Sequence, residues 1–289
     1  FGRRELWSSN GTGTGTQVVK TIASSKLGGS FPRHLRNLNG TLVFDADDGV
    51  NGRELWRSDG TPDGTQLIAN LGEGNASFID PLLGETSVAV IGSYYFFVVD
   101  DVDRGEHRLW RFDGTTGTLL GLTTATTRMK GAVPESFTPV GNTLFFVAAG
   151  RDYPGRRELW KSDGTPTGTQ RVRDIGVGLL GGSYPRHLTA LNDLLFFDAY
   201  DGVHGRELWQ SDGTEEGTQR VEDLFPGLGS GIDFWEDSSS FGVAGGVFFF
   251  VATDGVSGKG RRLWARYKDP LEAWRTEVAK EFTNNREGP

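Results

Sequence analysis

Residues 205–219 read GRELWQSDGTEEGTQ, and the phrase returns as GRELWRSDGTPDGTQ at 52–66 and RRELWKSDGTPTGTQ at 156–170. Looser copies are RRELWSSNGTGTGTQ at 3–17, HRLWRFDGTTGT at 107–118 and RRLWARYKDP at 261–270. The six tryptophans, Trp7, Trp56, Trp110, Trp160, Trp209 and Trp264, are spaced by 49, 54, 50, 49 and 55 residues. A fixed period of this length is the mark of a repeat architecture. A second period lies above it: Trp7 to Trp160 and Trp56 to Trp209 are each 153 residues, and Trp110 to Trp264 is 154. Three units were therefore copied as a block, and residues 28–56 match 181–209 almost throughout.

Within the unit around Trp209, four short strands are predicted, over Arg186–Leu191, Leu194–Tyr200, Arg206–Ser211 and Thr218–Leu224. The breaks between them, Leu191-Asn192-Asp193, Asp201-Gly202-Val203-His204-Gly205 and Ser211-Asp212-Gly213-Thr214, carry turn chemistry at hairpin length. The second strands (TLVF, SYYFFVV, TLFFVAA, LLFF, VFFFVAT) are apolar without alternation, which requires burial on both faces. Four antiparallel strands per unit of about 40 to 50 residues, covered on both sides, describe a β-propeller blade.

The expected fold is all-β, a β-propeller with six blades favoured over five and an incomplete N-terminal blade. Residues 1–289 form one propeller domain on this reading, with a partial blade at 1–24, blades at 25–72, 73–123, 124–174, 175–224 and 225–282, and a tail at 283–289. Trp274–Val278 stands where GTQRV falls in other copies, so a strand is expected there rather than a helix.

The recurring phrase resembles the ELWxxDGT-repeat proteins, with the motif least altered around Trp56, Trp160 and Trp209. The resemblance implies a propeller-like, extracellular or cell-surface protein and brings no catalytic residues with it. Copy three shortens the turn to FDGTTGT, and copy six replaces it with KDPLEAW.

Composition narrows the partners. Thirty Lys and Arg against 38 Asp and Glu give −8, dispersed along the chain, so the basic patch of a nucleic-acid binder is missing. The densest apolar runs, Tyr94–Val99 and Val247–Val251, are strand-sized, so membrane insertion by a helix is not expected. With no cysteine, disulfides and thiolate metal sites are excluded. The chain opens on Phe1 with no charged-then-apolar leader, and further sequence ahead of it is expected.

Candidate binding residues fall into three groups. Strand alternation puts Glu207 and Trp209 on one face and Arg206 and Leu208 on the other. The same holds for Arg53, Glu54 and Trp56. Each set reads either as packing between blades, the favoured reading, or as a blade-gap sugar site with the indole as platform. Copies three and six carry Arg108 and Arg262 in the Glu position. Asp45-Ala46-Asp47-Asp48-Gly49 resembles an acidic calcium loop without its bidentate Glu, which makes calcium the one cofactor to consider, through Asp45, Asp47 and Asp48. The third group breaks the repeat: Pro32-Arg33-His34-Leu35 returns as Pro185-Arg186-His187-Leu188, against Asp80-Pro81-Leu82-Leu83 and Glu135-Ser136-Phe137-Thr138 elsewhere. Arg33, His34, Arg186 and His187 are the candidates for an acidic ligand, since a guanidinium presents a planar fork to carboxylate or sulfate oxygens. The competing reading has Arg bound to a neighbouring blade's carboxylate and His capping a loop.

GVGLLG at 176–181 and GTGTGT at 11–16 lack the helix or Lys-Ser/Thr that a phosphate loop needs, and no HExxH or GxSxG occurs. Sequons stand at Asn10, Asn39 and Asn75. The expected function is a non-enzymatic binding or scaffold module with a protein or glycan partner at the cell surface or matrix. A lectin-like propeller recognising acidic glycans is the alternative, and a propeller hydrolase the second.

Overall fold

A computed structural model describes residues 4–23, 28–70, 87–101, 106–123, 129–130, 133–150, 155–176, 181–232, 241–255, 260–269, 271 and 273–281. The Asn75 sequon, Asp80–Leu83, residues 177–180 and the tail 283–289 lie outside the described residues. The chain divides into two compact units, residues 1–135 with 164–167, and residues 136–163 with 168–289.

In the first unit, β1 (Leu6–Ser8) and β2 (Gln17–Lys20) form a two-stranded sheet. Next comes a four-stranded antiparallel sheet of β3 (Arg33–Leu38), β4 (Thr41–Asp47), β5 (Arg53–Ser58) and β6 (Gln66–Ala69). The third sheet holds β7 (Ala89–Ile91), β8 (Tyr94–Asp101), β9 (Glu106–Asp113) and β10 (Thr118–Gly121), with β11 (Met129–Lys130) also paired to β9. The fourth sheet, which apart from Glu135 belongs to the second unit, is β12 (Glu135–Val140), β13 (Thr143–Ala149), β14 (Arg157–Ser162) and β15 (Gln170–Arg171). The fifth sheet is β16 (Arg186–Leu191), β17 (Leu194–Tyr200), β18 (Arg206–Ser211) and β19 (Gln219–Arg220). The sixth is β20 (Phe241–Ala244), β21 (Val247–Ala252), β22 (Arg262–Lys268) and β23 (Trp274–Glu281). The fold is all-β, built of propeller blades, with six sheets among the described residues, the N-terminal one showing two strands there.

The paired phenylalanines of the second strands explain the stacking of sheets. Successive side chains point to opposite faces, and in β17 Phe197 packs with Trp209 against Phe145, Leu159 and Val172 of the preceding sheet. Phe196 on the other face packs against Phe248 and Phe250 of the following one. Both faces are buried, as the unbroken apolar runs require.

The SDGTxxGT phrase is the hairpin joining third and fourth strands. Asp212 Oδ1 accepts from the Thr214 backbone N–H at 2.8 Å and hydroxyl at 2.7 Å, and Thr214 Oγ1 accepts from Gly217 N at 2.8 Å. Ser211 and Thr218 close the base through their hydroxyls at 2.7 Å. Gly213 sits at φ +89°, and a Cβ on Gly217 would lie 2.0 Å from the Asp212 carboxylate, so glycine is needed at both places. These bonds hold the Asp212 and Asp59 carboxyls below the usual carboxylate range. The Asn10 sequon is the same turn with Asn for Asp, Asn10 Oδ1 accepting from Thr12 N at 3.1 Å.

The fourth strand of the fifth sheet is shorter than predicted, since β19 ends at Arg220 rather than Leu224. The cause lies in the ELW glutamate. Glu207 is buried and takes the Leu224 N–H on Oε2 at 3.0 Å and the Gly231 N–H on Oε1 at 2.7 Å, drawing the chain off the ladder into the crossover. Glu158 repeats this with Ile175 N, Gly176 N, Ser183 N and the Ser183 hydroxyl. In the first unit Glu5 accepts from Ile22 N and Ser30 Oγ.

Candidate ligand-binding site

The first strands β3 and β16 each carry a bulge. Ladder register shifts between Arg33 and Arg36 and between Arg186 and Thr189, and His34 (φ 53°) and His187 (φ 52°) take the left-handed conformation there. The bulge turns each imidazole towards the second strand. His187 Nδ1 donates to Asp198 Oδ1 at 2.5 Å, and Asp198 Oδ2 accepts from Arg206 Nη1 at 2.6 Å. Arg206 Nη1 also bonds the Tyr184 carbonyl at 2.9 Å. In the first unit His34 Nδ1 donates to Asp45 Oδ1 at 2.5 Å, Arg53 Nη1 to Asp45 Oδ2, and Arg53 Nη2 to the Phe31 carbonyl at 3.0 Å. Asp45, Asp198, Arg53 and Arg206 are all buried. Such charges are tolerable only because each is paired and further hydrogen-bonded.

The arginine that precedes each histidine is nearer the solvent, Arg33 exposed and Arg186 half-buried. Burial lowers the pKa of Arg206 and of Arg157, and the charge of Arg186 acts on both in the same direction. Arg186 therefore lies within electrostatic reach of both Arg157 and Arg206 in the second unit, and Asp198 is bonded to Arg206. The 153-residue period places Arg4, Arg33 and Arg53 at the matching positions of the first. There Arg4 and Arg33 line an open cavity of about 480 Å³ with Glu5, Leu6, Trp7, Phe31, Pro32 and Leu35.

The other candidates fall elsewhere. Trp56, Trp160 and Trp209 are 5 to 7% exposed, whereas Trp7 is 55% exposed. Glu54 and Glu207 are fully buried, and burial pushes the Glu207 carboxyl up to about 7 against its two backbone donors. The Arg-Glu-Trp sets thus lie inside the blades, with Arg and Glu divided between the triad and the crossover tether. Of the acidic run, Asp45 belongs to the triad, Asp47 accepts from Gly49 N, and Asp48 accepts from Val50 N, Asn51 N and Asn51 Nδ2. Asp201 caps the equivalent loop through Val203 N, His204 N and His204 Nδ1. Among the described residues no three or more His, Asp or Glu side chains gather as a metal group.

Two features were missed in the sequence. Asp45 and Asp198 are the partners of the histidines, and the signal was there: an Asp directly follows the last phenylalanine of the second strand only in the blades that carry Pro-Arg-His. The alignment of the fourth sheet was off by one. Ser136, at φ 59°, occupies the His187 position, so Pro134-Glu135-Ser136-Phe137 is the segment equivalent to Pro185–Leu188.

No protein-family model matches the chain, and no curated protein matches it. Solved structures do. Oligopeptidase B from Leishmania major is 15% identical with a TM-score of 0.48, over 95% of this chain and 37% of that one. Oligogalacturonate lyase from Vibrio parahaemolyticus is 12% identical with a TM-score of 0.42, over 84% and 62%. A puromycin-hydrolyzing peptidase of Mycobacterium tuberculosis is 12% identical with a TM-score of 0.39, over 97% and 50%. The chain spans less than two thirds of each of these proteins, and at TM-scores below 0.5 the fold rests on its own sheet topology.

Proposed function

We propose that this chain is a non-enzymatic binding or scaffold module of an extracellular or cell-surface protein, of the ELWxxDGT-repeat kind, and that it takes an acidic ligand at its Pro-Arg-His blades. The observation that carries the reading is the duplicated set of a buried Asp bonded by His and Arg, His187–Asp198–Arg206 and His34–Asp45–Arg53, each preceded by a further arginine, Arg186 or Arg33. Residues that recur in nearly every blade hold the blades together, as the Glu207 and Asp212 bonds illustrate. The Pro-Arg-His segments depart from the repeat and bring guanidiniums to the start of a first strand. Arginine there suits the planar oxygens of uronate, sulfate or an acidic peptide segment. Calcium remains a proposal carried by the Asp45–Gly49 sequence alone.

A glycan array probed with the protein and with an Arg33→Ala, Arg186→Ala variant tests this. Acidic glycans should be retained by the first, lost by the second, and released by salt. Equal retention by both, or preference for neutral glycans insensitive to salt, would move the site elsewhere.

A further inference from the structure

Every complete blade covers its third strand with a second strand, and β1 shows what is left when none is present. The position of β1 is that of a third strand: Arg4-Glu5-Leu6-Trp7 matches Arg157-Glu158-Leu159-Trp160 at 153 residues. Among the described residues β1 pairs only with β2, so its opposite edge carries unpaired ladder groups. In the equivalent sheet β13 lies along that edge of β14, with Phe146 opposite Trp160 and Ala148 opposite Glu158. There Phe146 stacks on Trp160 at 6.3 Å, and the indole N–H donates to the Ala148 carbonyl at 3.1 Å. The sixth sheet repeats the arrangement with Phe250, Trp264 and Ala252.

Among the described residues Trp7 has neither partner, and it is 55% exposed. Beside it the open 480 Å³ cavity is lined by Leu6, Trp7, Phe31, Pro32 and Leu35 together with the charged Arg4, Glu5 and Arg33. Leu6 itself is buried, packed with Phe44 and Trp56, so the edge is rigidly held rather than frayed.

We infer that the free edge of β1, with Trp7 and this cavity, is an acceptor for a β-hairpin from outside these 289 residues, one carrying the repeat's own first-strand and second-strand pattern. Its inner strand adds to β1 antiparallel, as strand addition to an exposed edge does elsewhere. It places a phenylalanine on Trp7 and a carbonyl at the indole N–H. The block period specifies which pattern fits: the sequence 153 residues on, VPESFTPVGNTLFFVAAG at 133–150, occupies the corresponding place against β14. Arg33, named above for an acidic ligand, and Arg4 line the same cavity, so the two readings compete in the first unit and are told apart at Arg186 of the second, which the hairpin does not involve.

The test is titration of the intact protein with a synthetic peptide of residues 133–150, followed by fluorescence anisotropy and by hydrogen exchange of the Glu5–Ser8 amides. Saturable one-to-one binding is expected, with those amides protected. Trp7→Ala in the protein should weaken binding at least tenfold, and a peptide carrying Phe146→Pro should not bind. Trp7 is exposed, so this variant is expected to fold, and an unchanged melting temperature checks it. Absence of saturable binding, or binding indifferent to both changes, would overturn the inference. So would self-association of the chain that Trp7→Ala abolishes, since the occupant would then be a second copy.

Discussion

Replacing Glu207 by Gln should change how stability depends on pH more than it changes stability itself. The carboxyl is buried and receives two backbone N–H groups, from Leu224 and Gly231. Those donors favour the carboxylate, while burial favours the acid and is the larger influence, raising the pKa from 4.5 to about 7. A carboxyl with a raised pKa binds its proton more readily in the folded chain than in the unfolded one. Its favourable contribution is therefore complete below pH 4.5 and is lost as pH rises through about 7. Each pH unit of that gap is worth about 1.4 kcal/mol, so the span comes to about 3 kcal/mol. Gln cannot ionise, and its amide group leaves one of the two N–H donors without an acceptor, at about 1 to 3 kcal/mol. Urea unfolding at pH 5, 6, 7 and 8 should thus show wild type losing stability relative to Glu207→Gln as pH rises, by about 3 kcal/mol over the full gap. Parallel pH profiles for the two proteins would refute the assignment of the Glu207 proton and the tether built on it.

Other outcomes follow from the same geometry. Trp209→Ala should cost roughly 3 to 5 kcal/mol in chemical unfolding, against less than about 0.5 kcal/mol for the exposed Trp7→Ala; equal losses would contradict the placement of the two indoles. Asp198→Ala should cost about 3 to 5 kcal/mol by leaving the buried Arg206 charge without its carboxylate, while Asp198→Leu combined with Arg206→Met should recover most of it, measured as a double-mutant cycle. Gly213→Ala should cost about 1 to 2 kcal/mol through its left-handed backbone, and a melting temperature unchanged by it would sink the turn assignment.

How far the sequence could be read depended on what repeats. The tryptophan spacing and apolar second strands located every complete sheet, and β16, β17 and β18 begin and end where turn residues place them. Trp274–Glu281 is a strand, as its alignment with GTQRV implied. Where side chains replace backbone the pattern fell short: β19 stops early because Glu207 takes over hydrogen bonds that a longer ladder would have made. The candidate site was half legible. Arg186 and His187 stood out by departing from the repeat, but the φ of 52° that turns His187 onto Asp198 is not specified by residue type, since Ser136 takes the same conformation at the matching place of the fourth sheet. Asp45 suggested metal binding through its acidic neighbours, although its 153-residue match to Asp198 tied it to a histidine and an arginine instead.

The most direct test of the acidic-ligand reading is calorimetric titration with a uronate oligosaccharide at low and physiological salt. The account predicts two sites per chain, one lost in Arg33→Ala, the other in Arg186→Ala, both lost together, and affinity falling with salt. Undiminished stoichiometry in either single variant, or equal heats from a neutral oligosaccharide of the same length, would contradict it.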